Sequence, residues 1–144
     1  MASETFNHSA IAAAARTEVW VTLQKPETWE GIGGVDNVHD PVVDPDGSLQ
    51  GFSFESAIGG NVYLGQAQPG RREEGRSMAW NIETSDIAGT VTVTLEDESA
   101  GTRVDVTLEV ESRGMLAAAF FPIISSTIGN GFPATVEAFA EGLG

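Results

Sequence analysis

The chain has 144 residues, 41% of them hydrophobic, and no cysteine, so it can build one core without staples and has no disulfide or thiolate chemistry. Seven basic residues stand against 21 acidic ones, a net charge of −14. Nucleic acid and anionic membrane surfaces, which bind through phosphate neutralisation, are disfavoured as partners.

Glu4 to Ala12 reads as a first strand with Phe6, His8, Ala10 and Ala12 on one face. Arg16 to Leu23, "RTEVWVTL", reads as a short helix whose Val19, Trp20 and Leu23 recur at helical spacing. Pro26 stops it and opens a second short helical piece, "PETWEGI", which Gly31, Gly33 and Gly34 end. Two strands follow, "NVHDPVV" and "SLQGFSFESA", joined by the turn signal "DPDG". "GNVYLGQAQ" and "RSMAWNIET" read as two more. Between them Arg71, Arg72 and Arg76, mixed with Glu73 and Glu74, read as a solvated connection.

"GTVTVTLEDESAGTRVDVTLEVE" alternates strictly on both sides of a polar turn, the pattern of a hairpin with one dry face. Val91, Val93 and Leu95 share that face with Val104, Val106, Leu108 and Val110. In the C-terminal segment Ile124, Ile128, Phe132, Val136, Phe139 and Leu143 form a helical stripe. Gly129, Gly131 and Pro133 interrupt it, which predicts a kinked helix or two consecutive ones.

About six consecutive antiparallel strands curl, and the long C-terminal helix is the element available to cover their dry face. The pieces around Trp20 and Trp29 would plug one end of the curl. Met78, Trp80 and Ile82 alternate with Ala79, Asn81 and Glu83; since Glu83 seeks water, the Trp80 face is the inner one. Other inner candidates are Phe52, Phe54, Phe120, Phe121 and Phe132, with Ala117, Ala118, Ala119 and Gly129 as small partners. Side-chain volume alone leaves a filled and a hollow interior equally open.

"ARTEVWVTLQKPETWEGI" resembles the first-helix region of the SRPBCC superfamily, the START-like and polyketide cyclase-like proteins, and "VTVTLEDESAGTRVDVTLEV" resembles its late hairpin. The glycine-punctuated "GSLQGFSFESAIGG" is most similar to the branch of that superfamily related to a carbon monoxide dehydrogenase subunit. Ala15 stands where proline is usual, and Lys25 where aspartate is usual. The resemblance spans residues 1–144 as a single domain. It implies an α+β helix-grip fold: a curved antiparallel sheet of six or seven strands wrapped around a long C-terminal helix, with two short helices after the first strand. It also implies an apolar cavity between sheet and helix, where most relatives hold a hydrophobic small molecule and a minority carry out chemistry.

Catalytic motifs are sparse. Serine chemistry lacks its Gly-x-Ser-x-Gly elbow, and His8 and His39 are the only imidazoles. His39 reads as a surface residue beside a turn, and His8 as an inward-facing structural histidine or a polar group of the cavity. Asp44, Asp46, Ser48 and Glu55 echo a calcium loop, but Leu49 replaces its obligatory glycine, so a hairpin turn is expected. "GIGGVD" lacks the spacing of a phosphate loop. The expectation is a protein that binds a lipid-, quinone- or polyketide-like molecule against Phe52, Phe54, Met78, Trp80, Ile82, Phe121, Phe132 and His8. No catalytic residue, metal or cofactor is expected. The alternatives are a cyclase or dehydratase using a polar residue of the cavity, and an accessory protein whose acidic surface meets an unidentified protein. The N-terminus "MASETFNHSA" has no leader pattern, and no run of about 20 apolar residues exists, which points to the cytoplasm.

Overall fold

The computed structural model describes residues 3–29, 37–58, 61–84, 87–113 and 115–143. The elements are β1 (Ser3–Ala12), α1 (Arg16–Thr22), a 3-10 turn (Pro26–Thr28), β2 (Asn37–Val43), β3 (Leu49–Ile58), β4 (Asn61–Glu73), β5 (Ser77–Thr84), β6 (Ile87–Glu98), β7 (Gly101–Ser112) and α2 (Met115–Gly142). The glycines after Trp29 and the "GIGGVD" motif lie outside the described residues.

The seven strands form one open antiparallel sheet in the order β1-β7-β6-β5-β4-β3-β2. The frame is the β6–β7 hairpin, paired without a break from Ile87 opposite Ser112 to Glu98 opposite Gly101. Its dry face is the one the alternation marks: Val91, Val93, Leu95, Val104 and Val106 are all buried. Each such side chain contributes about 1.5–3 kcal/mol of transfer free energy when fully enclosed.

α2 lies against the dry face, chiefly along β1 and β7, and reaches β3. It is one helix running through Pro122 and Pro133, so the two-helix alternative does not form. Phe132, Val136 and Ala140 of its stripe are buried, and Phe139 and Leu143 are half-buried against the core. The side chains of Ala117, Ala118, Ala119, Phe120, Ile124 and Ile128 lie outside the description. Gly129 is needed where it stands, because a Cβ there would come within 2.8 Å of Phe6 Cε1.

The two sheet edges are handled differently. β1 is covered by α2. β2 pairs with no further strand among the described residues, and its ladder to β3 is broken between His39 and Val42, where Asp40 takes a φ of 50° and Pro41 offers no donor. The end plug forms as expected. Trp29 is buried and its Nε1–H donates to the Leu23 carbonyl at 2.9 Å. Gln24 Oε1 accepts the Leu49 N–H at 3.1 Å, which ties the plug to the sheet. "DPDG" makes its turn, with Gly47 N–H donating to the Asp44 carbonyl.

Candidate functional site

The register sorts the inward-facing residues into rows across the sheet. One row runs Phe6, Leu108, Val91, Trp80 and Pro69. The next runs Glu4, Val110, Gly89, Ile82, Ala67 and Phe52. Phe54 stands one step further on, its ring over Gly65, where any Cβ would sit 2.5 Å from Phe54 Cζ. Phe52, Phe54, Met78, Trp80 and Ile82 therefore share the interior with α2.

Trp80 is fully enclosed. Its ring meets Phe52 edge-on at 5.2 Å and Trp29 edge-on at 5.9 Å, and Phe52 in turn meets Phe54 at 6.4 Å. Such edge-to-face contacts suit the ring quadrupoles. A division between Trp80 as cavity wall and Trp29 as remote plug is therefore not what the structure shows, since the two rings touch. At the other end, Phe6 and Phe132 pack at 6.1 Å, and Phe121 is buried as well. Ile82, like Phe6, faces inward but is only half-buried.

Polar groups enter the interior at its two ends. His8 faces inward from β1, half-buried, with Nε2 3.4 Å from Glu137 Oε1 on α2. That is ion-pair range without hydrogen-bond alignment. Arg72 enters from the opposite side and corrects the sequence reading. It belongs to β4 rather than to a solvated connection, and a register shift between Pro69 and Arg72 turns it to pair with Met78 on the inner face. Its guanidinium carbon lies 5.4 Å from the centre of the Trp80 ring, and one of its terminal N–H groups donates to the Leu49 carbonyl at 2.9 Å. Burial lowers the Arg72 pKa from its ordinary value, while Asp44 and Asp46 oppose that shift. The signal that could have revealed Arg72 is Pro69-Gly70 inside a strand, a pair that marks a bulge.

His8 and Arg72 stand in one row of the sheet, but Val106, Val93 and Met78 of three intervening strands separate them. They do not converge on one point. His39 lies on the outer face beside Asp40, its Nδ1 3.1 Å from Asp40 Oδ2.

The outer face carries a broad open groove of about 1290 Å³. Its lining combines outward side chains of the central strands, among them Glu55, Gln66, Glu83, Glu109 and the exposed Leu64, with Phe54, Ile82 and Val110 of the inward rows. Arg113 pairs with Glu83 at 2.6 Å on its rim.

No family model matches the chain, and no curated protein matches it in sequence. Solved structures do match in shape. A START superfamily protein from Mycobacterium smegmatis superposes with a TM-score of 0.70 at 12% identity, over 99% of this chain and 98% of that one. The Zhui aromatase/cyclase from Streptomyces gives 0.70 at 11% identity, over 96% and 94%. The di-domain aromatase/cyclase StfQ of the steffimycin biosynthetic pathway gives 0.61 at 13% identity, over 96% of this chain and 50% of that one. The fold is the START-like helix-grip fold.

Proposed function

We propose that this protein binds a hydrophobic small molecule between the sheet and α2, without transforming it. The observation that carries the proposal is Ile82, an inward-facing apolar residue left half-buried beside the enclosed Trp80. α2 packs chiefly on β1 and β7, and an apolar ligand beside Ile82 would complete the burial of that side chain. Phe52, Phe54, Met78, Trp80 and Ile82 would form the sheet wall, Phe121 and Phe132 the helix wall, and His8 a polar margin. Affinity would come from apolar transfer, about 25 cal/mol per Å² before ordering and association costs. Lipid-, quinone- and polyketide-like molecules all fit that chemistry. The domain would act in the cytoplasm, a setting supported by its cysteine-free composition. No described helix is long and apolar enough to cross a membrane.

A cyclase or dehydratase reading draws support from the aromatase/cyclases among the structural neighbours. It requires an acid and a base within reach of one reacting atom. His8 and Arg72, with three strands between them, do not supply that pair. An accessory role draws support from the acidic outer groove.

The test combines mass spectrometry of co-purifying small molecules with titration of fatty acids, quinones and aromatic polyketides, read by tryptophan emission. Saturable binding is expected, with a loss of tenfold or more in Ile82→Arg at unchanged thermal unfolding, roughly the effect of a charge placed against an apolar ligand. If nothing co-purifies and no probe saturates, the binding reading falls and the acidic surface becomes the leading site.

A further inference from the structure

The Trp80–Arg72 corner holds two donors that the protein does not use. Trp80 Nε1–H is buried in a fully enclosed side chain and makes no hydrogen bond among the described residues. Arg72 Nε–H, in the guanidinium stacked on that ring, is equally buried and equally without an acceptor. Contrast Trp29, whose indole N–H is matched to the Leu23 carbonyl. Buried donors are almost always paired, because an unmet one costs the full desolvation of the group. Two on adjacent stacked side chains point to an acceptor that arrives from outside the chain.

The nature of that acceptor follows from the charges around it. Asp44 and Asp46 of the β2–β3 turn attract the Arg72 charge from beyond ion-pair distance, and one of its terminal N–H groups donates to the Leu49 carbonyl. Its charge is partly offset, and its Nε–H has no acceptor among the described residues. A further carboxylate there would be repelled by these two and would have to shed its water among Phe52, Trp29 and Trp80. A carbonyl oxygen offers two lone pairs, carries no net charge and loses little on desolvation.

We propose that Trp80 Nε1–H and Arg72 Nε–H bind a carbonyl oxygen of the hydrophobic ligand and so fix its orientation, with the carbonyl end at the plug and the apolar body toward Ile82. This rests on the ligand-binding reading above. It narrows the ligand to an apolar ketone, ester or quinone rather than a free fatty acid or hydrocarbon.

The experiment compares acetylnaphthalene, ethylnaphthalene and naphthoate, which share one ring system and differ in the acceptor. The intact protein should bind acetylnaphthalene roughly tenfold more tightly than ethylnaphthalene, the scale of hydrogen bonds to otherwise unpaired donors. Arg72→Met and Trp80→Phe should each bring that ratio close to one. In the unmodified protein, the Trp80 indole proton resonance should move downfield with acetylnaphthalene and stay with ethylnaphthalene, while that of Trp29 stays with both. If either variant loses cooperative unfolding, the indole resonance decides alone. Equal affinity for the two neutral probes, tighter binding of naphthoate, or an unmoved Trp80 resonance would each overturn the proposal and assign the two donors to an internal water. The ligand-binding reading would survive those results. Failure of all three probes to bind would remove both.

Discussion

The β6–β7 hairpin and α2 face each other across the same interior, yet they are specified in opposite ways. The hairpin has an unbroken register and a strict alternation of valines or leucines with threonines and acids. Each residue's local preference agrees with its final place. α2 carries Pro122, Pro133, Gly129 and Gly131 within its length, with no acidic residue in its first turn and no basic residue in its last. By propensity and by dipole it is a poor helix. It forms because Phe121, Phe132, Val136 and Ala140 are buried against the core. The frame of this protein is thus encoded locally, while its cover is held by tertiary contact and has the weaker intrinsic stability.

The strongest way to break the comparison is to remove the cover. Ending the chain after Arg113 would expose the dry face of β1 and β7, and cooperative thermal unfolding should be lost altogether. A truncated sheet that still melted cooperatively would show that the hairpin frame stands alone and that α2 is an accessory to it.

A finer cut separates propensity from packing inside α2. Gly131 has nothing within 4 Å of where its Cβ would go, so Gly131→Ala should stabilise by about 0.5–1 kcal/mol. Gly129 would drive a Cβ to 2.8 Å from Phe6, itself packed on Phe132, so Gly129→Ala should gain nothing and should lower the melting temperature. Chemical denaturation of the two variants side by side reads the difference directly. Equal gains would mean that α2 is not held tightly against β1.

The smallest effect lies in the β2–β3 turn, where local encoding is again complete. The Ser48 hydroxyl donates to the Asp46 carboxylate, as does the Ser48 backbone N–H at 2.9 Å, and both lower its pKa below the ordinary value. A depressed carboxylate contributes stability at pH above its unfolded value and loses it as pH falls through the folded one. The Asp46 carboxyl should therefore titrate below an ordinary aspartate by NMR, and Ser48→Ala should bring it back up. An unchanged midpoint in that variant would remove Ser48 as the cause.

The sequence by itself determined the strands β1 to β7, the succession of β2 to β7 as hairpins, and the inner face of β5. Alternation with period two is a local property that burial then obeys, as Met78, Trp80, Asn81 and Glu83 show. It also located the aromatic side chains of the interior. It did not place Arg72, because a bulge after Pro69 shifts the count by one step and turns a residue from the outer face to the inner one. Nor could it pair His8 with Glu137, two residues on elements that meet only when α2 docks on β1. The continuity of α2 through its prolines belongs to the same class. Helix propensity is summed along the chain, but the burial of Phe132 and Val136 that outweighs it is supplied by strands far away in sequence.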